Sequence, residues 1–126
     1  MREQTIAWLT AWGLGGAEYD VFLDIVLNAV TWRLKNLTGC EELPEGLVSL
    51  GAAMAAGEYL QARKAKGELE GFDLETAIKS LQEGDTTVTF AIGEGSATPE
   101  QRLDALIDHL LNGRMDEVYR YRRLVW

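Results

Sequence analysis

Apolar residues recur at helical spacing in four stretches of this chain, and glycine, proline or threonine marks most of their ends. The first stretch places Ile6, Trp8, Leu9 and Trp12 toward one side of a short helix, and glycines follow it directly. Tryptophans in such a helix more often pack into a core than serve a partner, so core packing is the favoured interpretation here. The pattern predicts helices over residues 3–12, 17–38, 45–66 and 99–113.

The second predicted helix is apolar over far more than one face. It ends at Gly39, which suits a C-terminal helix cap. A helix of this kind must be buried on several sides, and a small domain often achieves that with a neighbouring subunit. We therefore expect one stripe to form the intrachain core and another to contact a second copy of the chain. The residues assigned to that subunit interface are Leu23, Leu27 and Leu34.

The third and fourth predicted helices carry clear structural signals. Pro44 opens the third, and its Gly and Ala residues over 51–57 predict close packing against the second helix. The cations in residues 63–66 suit the negative end of the helix dipole, so they do not indicate a nucleic-acid patch. Before the fourth helix, Thr98 and Gln101 have the spacing of a capping box.

A segment between these two helices predicts a β-hairpin. Residues 87–92 place apolar side chains on one face and threonines on the other, which is the period of a half-buried strand. Residues 78–82 are the predicted pairing partner, although their apolar positions do not alternate cleanly. The predicted turn consists of Glu83, Gly84 and Asp85, with a positive backbone dihedral at the glycine.

These elements predict a mainly α protein: a small helical bundle of three to four helices with an inserted β-hairpin and an extended C-terminal tail. A chain of 126 residues fits a single domain that buries its core without disulfides or a structural metal. Within that domain, residues 1–16 form the N-terminal helix and glycine break. Residues 17–113 form the helical body with the hairpin near residues 77–92, and residues 114–126 form a docking tail.

The tail differs from the rest of the chain in charge and composition. Residues 1–113 carry 8 Lys and Arg against 18 Asp and Glu, whereas residues 114–126 carry 4 against 2. Arginine and aromatic side chains anchor interfaces, because a guanidinium binds carboxylates through a planar fork and a ring buries much area. Two interpretations stay open: the tail docks on a partner, or it folds back on its own acidic body. The residues assigned to partner binding are Tyr119, Arg120, Tyr121, Arg122, Arg123 and Trp126.

Candidate catalytic and metal-binding residues are scarce. His109 has only Asp104 and Asp108 as candidate ligands at nearby helical positions, so we expect no metal site. Cys40 is the single cysteine and can form no internal disulfide, and residues 93–95 lack the flanking elements of a phosphate loop. We therefore expect a protein that is not an enzyme and that binds no cofactor.

Charge and hydropathy exclude further classes of protein. The formal net charge of -8 argues against a general DNA-binding protein, because Lys and Arg contacts to phosphate dominate that affinity. No apolar run approaches the roughly 20 residues that a membrane-spanning helix needs, and no apolar leader follows Met1. With one thiol, the chain is expected to be a product of the cytoplasm.

The order of these features resembles that of head-tail connector proteins, the head-completion or adaptor proteins of long-tailed bacteriophages and prophages. The resemblance covers roughly residues 17–126. It rests most on residues 80–90, Ser-x-x-Glu-Gly-Asp-Thr-x-Val-x-Phe, and on the closing residues 121–126, Tyr-Arg-Arg-Leu-Val-Trp. The tryptophan-rich N-terminal helix has no counterpart in the resemblance.

The resemblance implies a structural virion protein at the head-tail junction, made in the cytoplasm of a bacterial host. Such adaptors usually assemble as a ring of about twelve subunits with cyclic symmetry. The implied partners are the portal protein, a tail-completion protein, further copies of the chain, and genomic DNA that passes through the channel without sequence recognition. No membrane is involved. An acidic body suits a DNA conduit, because a negative lining repels the genome.

A second interpretation comes from a different class: a small acidic helical regulator that binds one cellular protein through its C-terminal tail and forms no ring. A third is an enzyme subunit that supplies surface and no catalytic residues. Self-association or portal binding would separate the adaptor from the regulator.

Overall fold

The computed structural model describes residues 1–84 and 98–122, with side chains through Leu81 in the first of these stretches. The described part is helical throughout, with short connections. Its elements are α1 (Arg2–Ala11), a short 3-10 turn (Ala17–Tyr19), α2 (Val21–Thr38), α3 (Glu45–Ala65), α4 (Leu74–Gly84), α5 (Pro99–Asn112) and α6 (Met115–Arg120). The mainly α class predicted from the sequence is confirmed, and each of the four predicted helices is present, although the second begins at Val21, after the separate turn at residues 17–19. The described residues form six α-helices, more than the three to four that the sequence predicted.

Helix α3 is the centre of the fold, in contact with α1, α2 and α5. Its small residues make this possible, since a Cβ at Gly51 would lie 2.9 Å from Leu34 Cδ1 and one at Gly57 2.9 Å from Leu110 Cβ. Real Cβ contacts are longer than this, so both neighbours need the space that glycine leaves. The predicted close packing of the second and third helices is therefore confirmed.

The caps that the sequence predicted fix the ends of two helices. Gly39 ends α2 with a positive φ of 73°, a conformation that glycine adopts readily. At the start of α5, the Gln101 amide donates to Thr98 Oγ1, and the Gln101 side chain accepts from the Thr98 amide. Both bonds of the capping box are present, so this prediction is confirmed.

Helix α1 packs into the core through its tryptophan side, as its pattern predicted. Trp12 is fully buried and Trp8 stacks on it, with the ring centroids 6.1 Å apart. The end of α1 also contacts the loop before α4, where the Asp73 amide donates to the Trp12 carbonyl at 2.7 Å. Gly13 allows this approach, because it has a positive φ of 96° and a Cβ there would collide with the Gly71 carbonyl.

The predicted hairpin is not supported. Residues 78–82 belong to α4 and not to a strand, and no strand is present in residues 1–84 or 98–122. Two signals favour the helix: Leu74, Ile78 and Leu81 recur at helical spacing toward the core, and Asp73 accepts hydrogen bonds from the Thr76 amide (3.1 Å) and hydroxyl (2.6 Å). These bonds lower the pKa of the Asp73 carboxyl.

The prediction for the three turn residues is not supported either. Glu83 and Gly84 lie in the last turn of α4, so neither belongs to a hairpin turn, while Asp85 and the second predicted strand, residues 87–92, lie outside the described residues. Helix α4 is tied to α5 by an ion pair between Glu75 and Arg102, and the hydrogen bond from the guanidinium lowers the pKa of Glu75.

The C-terminal tail is not extended at its start. Met115–Arg120 forms α6, which contacts α2. Val118 is buried in the core, and the Tyr121 hydroxyl lies where a Cβ at Gly46 would be. The tail therefore begins as part of the folded body, in agreement with the second of the two interpretations that the sequence left open, for residues 115–121. Residues 123–126 lie outside the described part of the chain.

Candidate docking surfaces

The outer side of α2 exposes three large apolar side chains. Val21 is 71% exposed, Ile25 60% and Trp32 57%, and these positions recur on one side of a helix with 3.6 residues per turn. Tyr19, in the 3-10 turn just before α2, is 85% exposed. We call these four residues the α2 face. Single exposed apolar residues are ordinary, but a row of them on one helix is typical of a protein interaction site.

The inner side of α2 carries the three leucines that the sequence assigned to a subunit interface. Leu23 and Leu34 are fully buried and Leu27 is 8% exposed. All three belong to the core of the chain itself, so they offer no surface to a second subunit. This residue assignment is corrected: the apolar residues of α2 that a neighbour could contact are those of the α2 face.

The structure fixes the position of the α2 face through a hydrogen-bond network at the start of α2. Asp20 caps the helix, because its Oδ1 accepts from the Phe22 amide at 2.9 Å. Its Oδ2 accepts from the Tyr59 hydroxyl at 2.8 Å, and Arg63 Nη1 donates to the same hydroxyl oxygen at 3.1 Å. Burial, and then the hydrogen bond to Asp20, raises the pKa of Tyr59. The network joins the first turn of α2 to the C-terminal half of α3.

Charged side chains flank the α2 face on both ends. Asp24 accepts a hydrogen bond from Arg2 Nε at 3.0 Å, and both side chains are about half exposed. The Lys35 ammonium lies 5.0 Å from the centroid of the Trp32 ring. Arg33 forms a longer ion pair with Glu58, at 3.7 Å. Such exposed pairs add little to stability, typically about 0–1 kcal/mol each, so they remain open to exchange with the charges of a partner.

The second surface is the start of the tail. Tyr119 is 53% exposed and Tyr121 37%, and the arginines next to them, Arg120 and Arg122, are exposed as well. We call these four residues the C-terminal patch. Arg120 pairs only loosely with Asp116, at 3.8 Å. Of the six residues assigned to partner binding, these four are on the surface, and Arg123 and Trp126 lie outside the described residues.

A cavity of about 510 Å³ lies between α1, α3, α4 and the last two helices. Its polar wall residues take part in bonds within the chain: Ser80 donates to the Thr76 carbonyl at 2.9 Å, and Arg114 pairs with Glu117. Trp12 Nε1, in the same wall, has no hydrogen-bond partner among the described residues. The remaining wall is mostly apolar and includes Trp8, Leu50, Met54, Leu81, Leu110 and Met115.

The residues that the sequence singled out for chemistry are dispersed. Cys40 is buried, and its thiol donates to the Tyr121 carbonyl at 3.7 Å. His109 packs over Gly113, at the wall of the cavity. Within residues 1–84 and 98–122, no cluster of three or more His, Cys, Asp or Glu residues could hold a metal ion. In the same stretches no helix combines the length and apolar character that crossing a bilayer requires.

No protein-family model, no curated protein and no solved structure gives a significant match to this chain. The evidence for the candidate surfaces is therefore their geometry alone.

Sequence reasoning missed the residues of the α2 face, although their signal was present. Val21, Ile25 and Trp32 recur at positions i, i+4 and i+11, which places them on one side of the helix. The leucine stripe has the same periodicity, and nothing local distinguishes the stripe that becomes the core.

Proposed function

We propose that this protein is a structural adaptor that works by docking on other protein chains, in the setting that the sequence resemblance indicates: a ring at the head-tail junction of a bacteriophage. In that setting it joins the portal of the filled head to tail-completion proteins and forms part of the DNA conduit. The ring is made of further copies of the chain, and no catalysis is involved.

The exposed α2 face is the observation that carries this proposal. Burying a Val or Ile side chain fully is worth about 1.5–3 kcal/mol, so the exposed fraction of Ile25 corresponds to roughly 1–2 kcal/mol that a partner would recover. The exposed part of the larger Trp32 ring adds to this gain. Charged residues occupy 25% of the positions in this chain, so a surface that served only to contact water could carry them in place of large apolar residues. The face therefore supports an assembly role.

The experiment compares assembly in variants of the two surfaces. Ile25→Asp should leave the chain folded by circular dichroism and should abolish its incorporation into particles when it replaces the parent chain in phage-producing cells. Gln61→Glu, at an exposed position of α3, adds one negative charge away from the face and should behave as the parent does. Folded Ile25→Asp protein that still enters particles at the parental level would contradict the proposed role of the face.

The tail is tested by removing residues 123–126, which leaves the packed start of the tail intact. The shortened chain should keep its thermal unfolding transition and lose co-purification with portal-bearing capsids. Unchanged capture by those capsids would remove the tail from the proposal. Capture of a single host protein, with no binding to capsids, would favour the acidic regulator instead.

A further inference from the structure

The exposed large apolar side chains of the described residues fall into two groups and no others. One group is the α2 face, Tyr19, Val21, Ile25 and Trp32, and the other consists of Tyr119 and Tyr121 in the C-terminal patch. One contact between identical subunits would bury both groups together. Since a cyclic ring repeats one heterologous contact, each subunit must offer two different surfaces that fit each other.

The two surfaces cannot meet within one chain. The buried stripe of α2, which contains Leu23, Val30 and Leu34, lies on the opposite side of the helix from Ile25 and Trp32. Helix α6 packs from the buried side, since Val118 belongs to the core cluster and α6 contacts α2. The C-terminal patch is therefore separated from the α2 face of its own chain by the thickness of a helix, about 10 Å.

Each surface carries an exposed ion pair, and the two pairs can exchange partners. Carboxylates at the first half of the α2 face, Glu18 and Asp24, flank Tyr19 and Val21, while Asp24 pairs with Arg2 at 3.0 Å and Lys35 lies over the Trp32 ring. The C-terminal patch presents Arg120 and Arg122 beside its tyrosines, and the 3.8 Å pair of Arg120 with Asp116 is exposed on both sides. A guanidinium can exchange such a contact for a carboxylate of a neighbour, and aromatic rings between the charges supply the apolar area.

We propose that the C-terminal patch of one copy docks on the α2 face of the next copy, with Tyr119 and Tyr121 against Ile25 and Trp32 and the arginines against Glu18 and Asp24. This inference rests on the proposed assembly into a ring and assigns the contact that builds it. The occupant of the α2 face is thus a second copy of this chain, approached through its C-terminal end.

The test uses two variants that each lose one surface, with all changes at exposed positions. The face variant is Ile25→Asp, and the patch variant combines Tyr119→Ser with Arg122→Glu. At concentrations where the parent chain associates in analytical ultracentrifugation, each variant alone should sediment as a monomer of 14.0 kDa. Mixed in equal amounts, they should form one species of twice that mass and nothing larger, because the intact face of one binds the intact patch of the other and both outer surfaces are blocked.

Other outcomes overturn the inference. Association of the patch variant alone would mean that two α2 faces pair with each other, and association of the face variant alone would mean that two patches do. A mixture that stays monomeric up to millimolar concentration would show that the two surfaces do not bind. Gln61→Glu is the control for added negative charge and should associate as the parent does.

Failure of this inference is separable from failure of the proposed function. If the mixture stays monomeric while the parent chain still enters particles and binds portal-bearing capsids, the adaptor proposal stands and the assigned contact falls. If the mixture forms the dimer while the parent chain neither enters particles nor binds those capsids, the contact stands and the proposed setting falls.

Discussion

Both sides of α2 carry large apolar residues, but the two sides have opposite surroundings. The inner side, with Leu23, Leu27 and Leu34, is buried against the rest of the chain. The outer side, with Ile25 and Trp32, is more than half exposed. The contrast shows that large apolar residues on one helix can be fully buried or largely exposed, and that only the surrounding structure decides which of them the fold buries.

The largest expected effect comes from the inner side. Leu34→Ala removes a fully buried side chain from the core and leaves a cavity, so it should lower the free energy of unfolding by about 2–5 kcal/mol. The matched control on the outer side is Val21→Ala, which should change the same quantity by less than about 0.5 kcal/mol. Urea unfolding of the two variants measures both values, and equal losses would erase the proposed difference between the sides.

The next effect tests how closely the inner side packs on α3. Gly51→Val places side-chain atoms against Leu34 and Met1, and overpacking of this kind should cost about 1–3 kcal/mol. Gly15→Ala is the control, because a Cβ at Gly15 has no atom within 4 Å. Thermal unfolding compares the two. A stable Gly51→Val protein would show that α2 and α3 can move apart without cost.

A smaller effect is expected where the structure fixes the start of α2. Tyr59→Phe removes the hydroxyl that donates to Asp20, and losing a hydrogen bond to a charged, partly buried group should cost about 1–2 kcal/mol at neutral pH.

The same variant has a pH signature. The pKa of Tyr59 is higher in the folded chain than in the unfolded chain, so the stability it contributes is fully present below a pH of about 10 and is lost as pH rises through the folded value. Urea unfolding from pH 8 to 12 should therefore show the difference between parent and Tyr59→Phe shrinking at the alkaline end. A difference that stays constant would assign the loss to packing instead of the hydroxyl.

The smallest effect on stability belongs to the outer side. Trp32→Gln removes the largest exposed side chain of the α2 face and its contact with Lys35, and should change the free energy of unfolding by about 0.5 kcal/mol or less. Self-association should fall in the same variant. Chemical unfolding and sedimentation measure the two properties separately, and a stability loss as large as that of Leu34→Ala would place Trp32 in the fold and not at an interface.

Much of the fold could be predicted because its signals are local. The caps at Gly39 and Thr98 act within one helix turn, and the apolar spacing of α1, α3 and α5 needs no knowledge of distant residues. The hairpin prediction was wrong because it gave a local signal too little weight. Residues 78–82 have apolar residues at helical spacing, and Asp73 caps their helix. They were assigned to a strand only because the residues that follow alternate between apolar and polar.

The sequence alone therefore determined the helical class, the positions of four helices and the charge contrast between body and tail. The tertiary structure decided which stripe of α2 faces the core, where the tail begins to pack, and which aromatic residues stay exposed. The reason is physical: periodicity states that a helix has an apolar side, but burial depends on residues far away in the chain. Leu34 is buried by α3 and Val118 sits in the same core, whereas Trp32, two residues from Leu34, is more than half exposed.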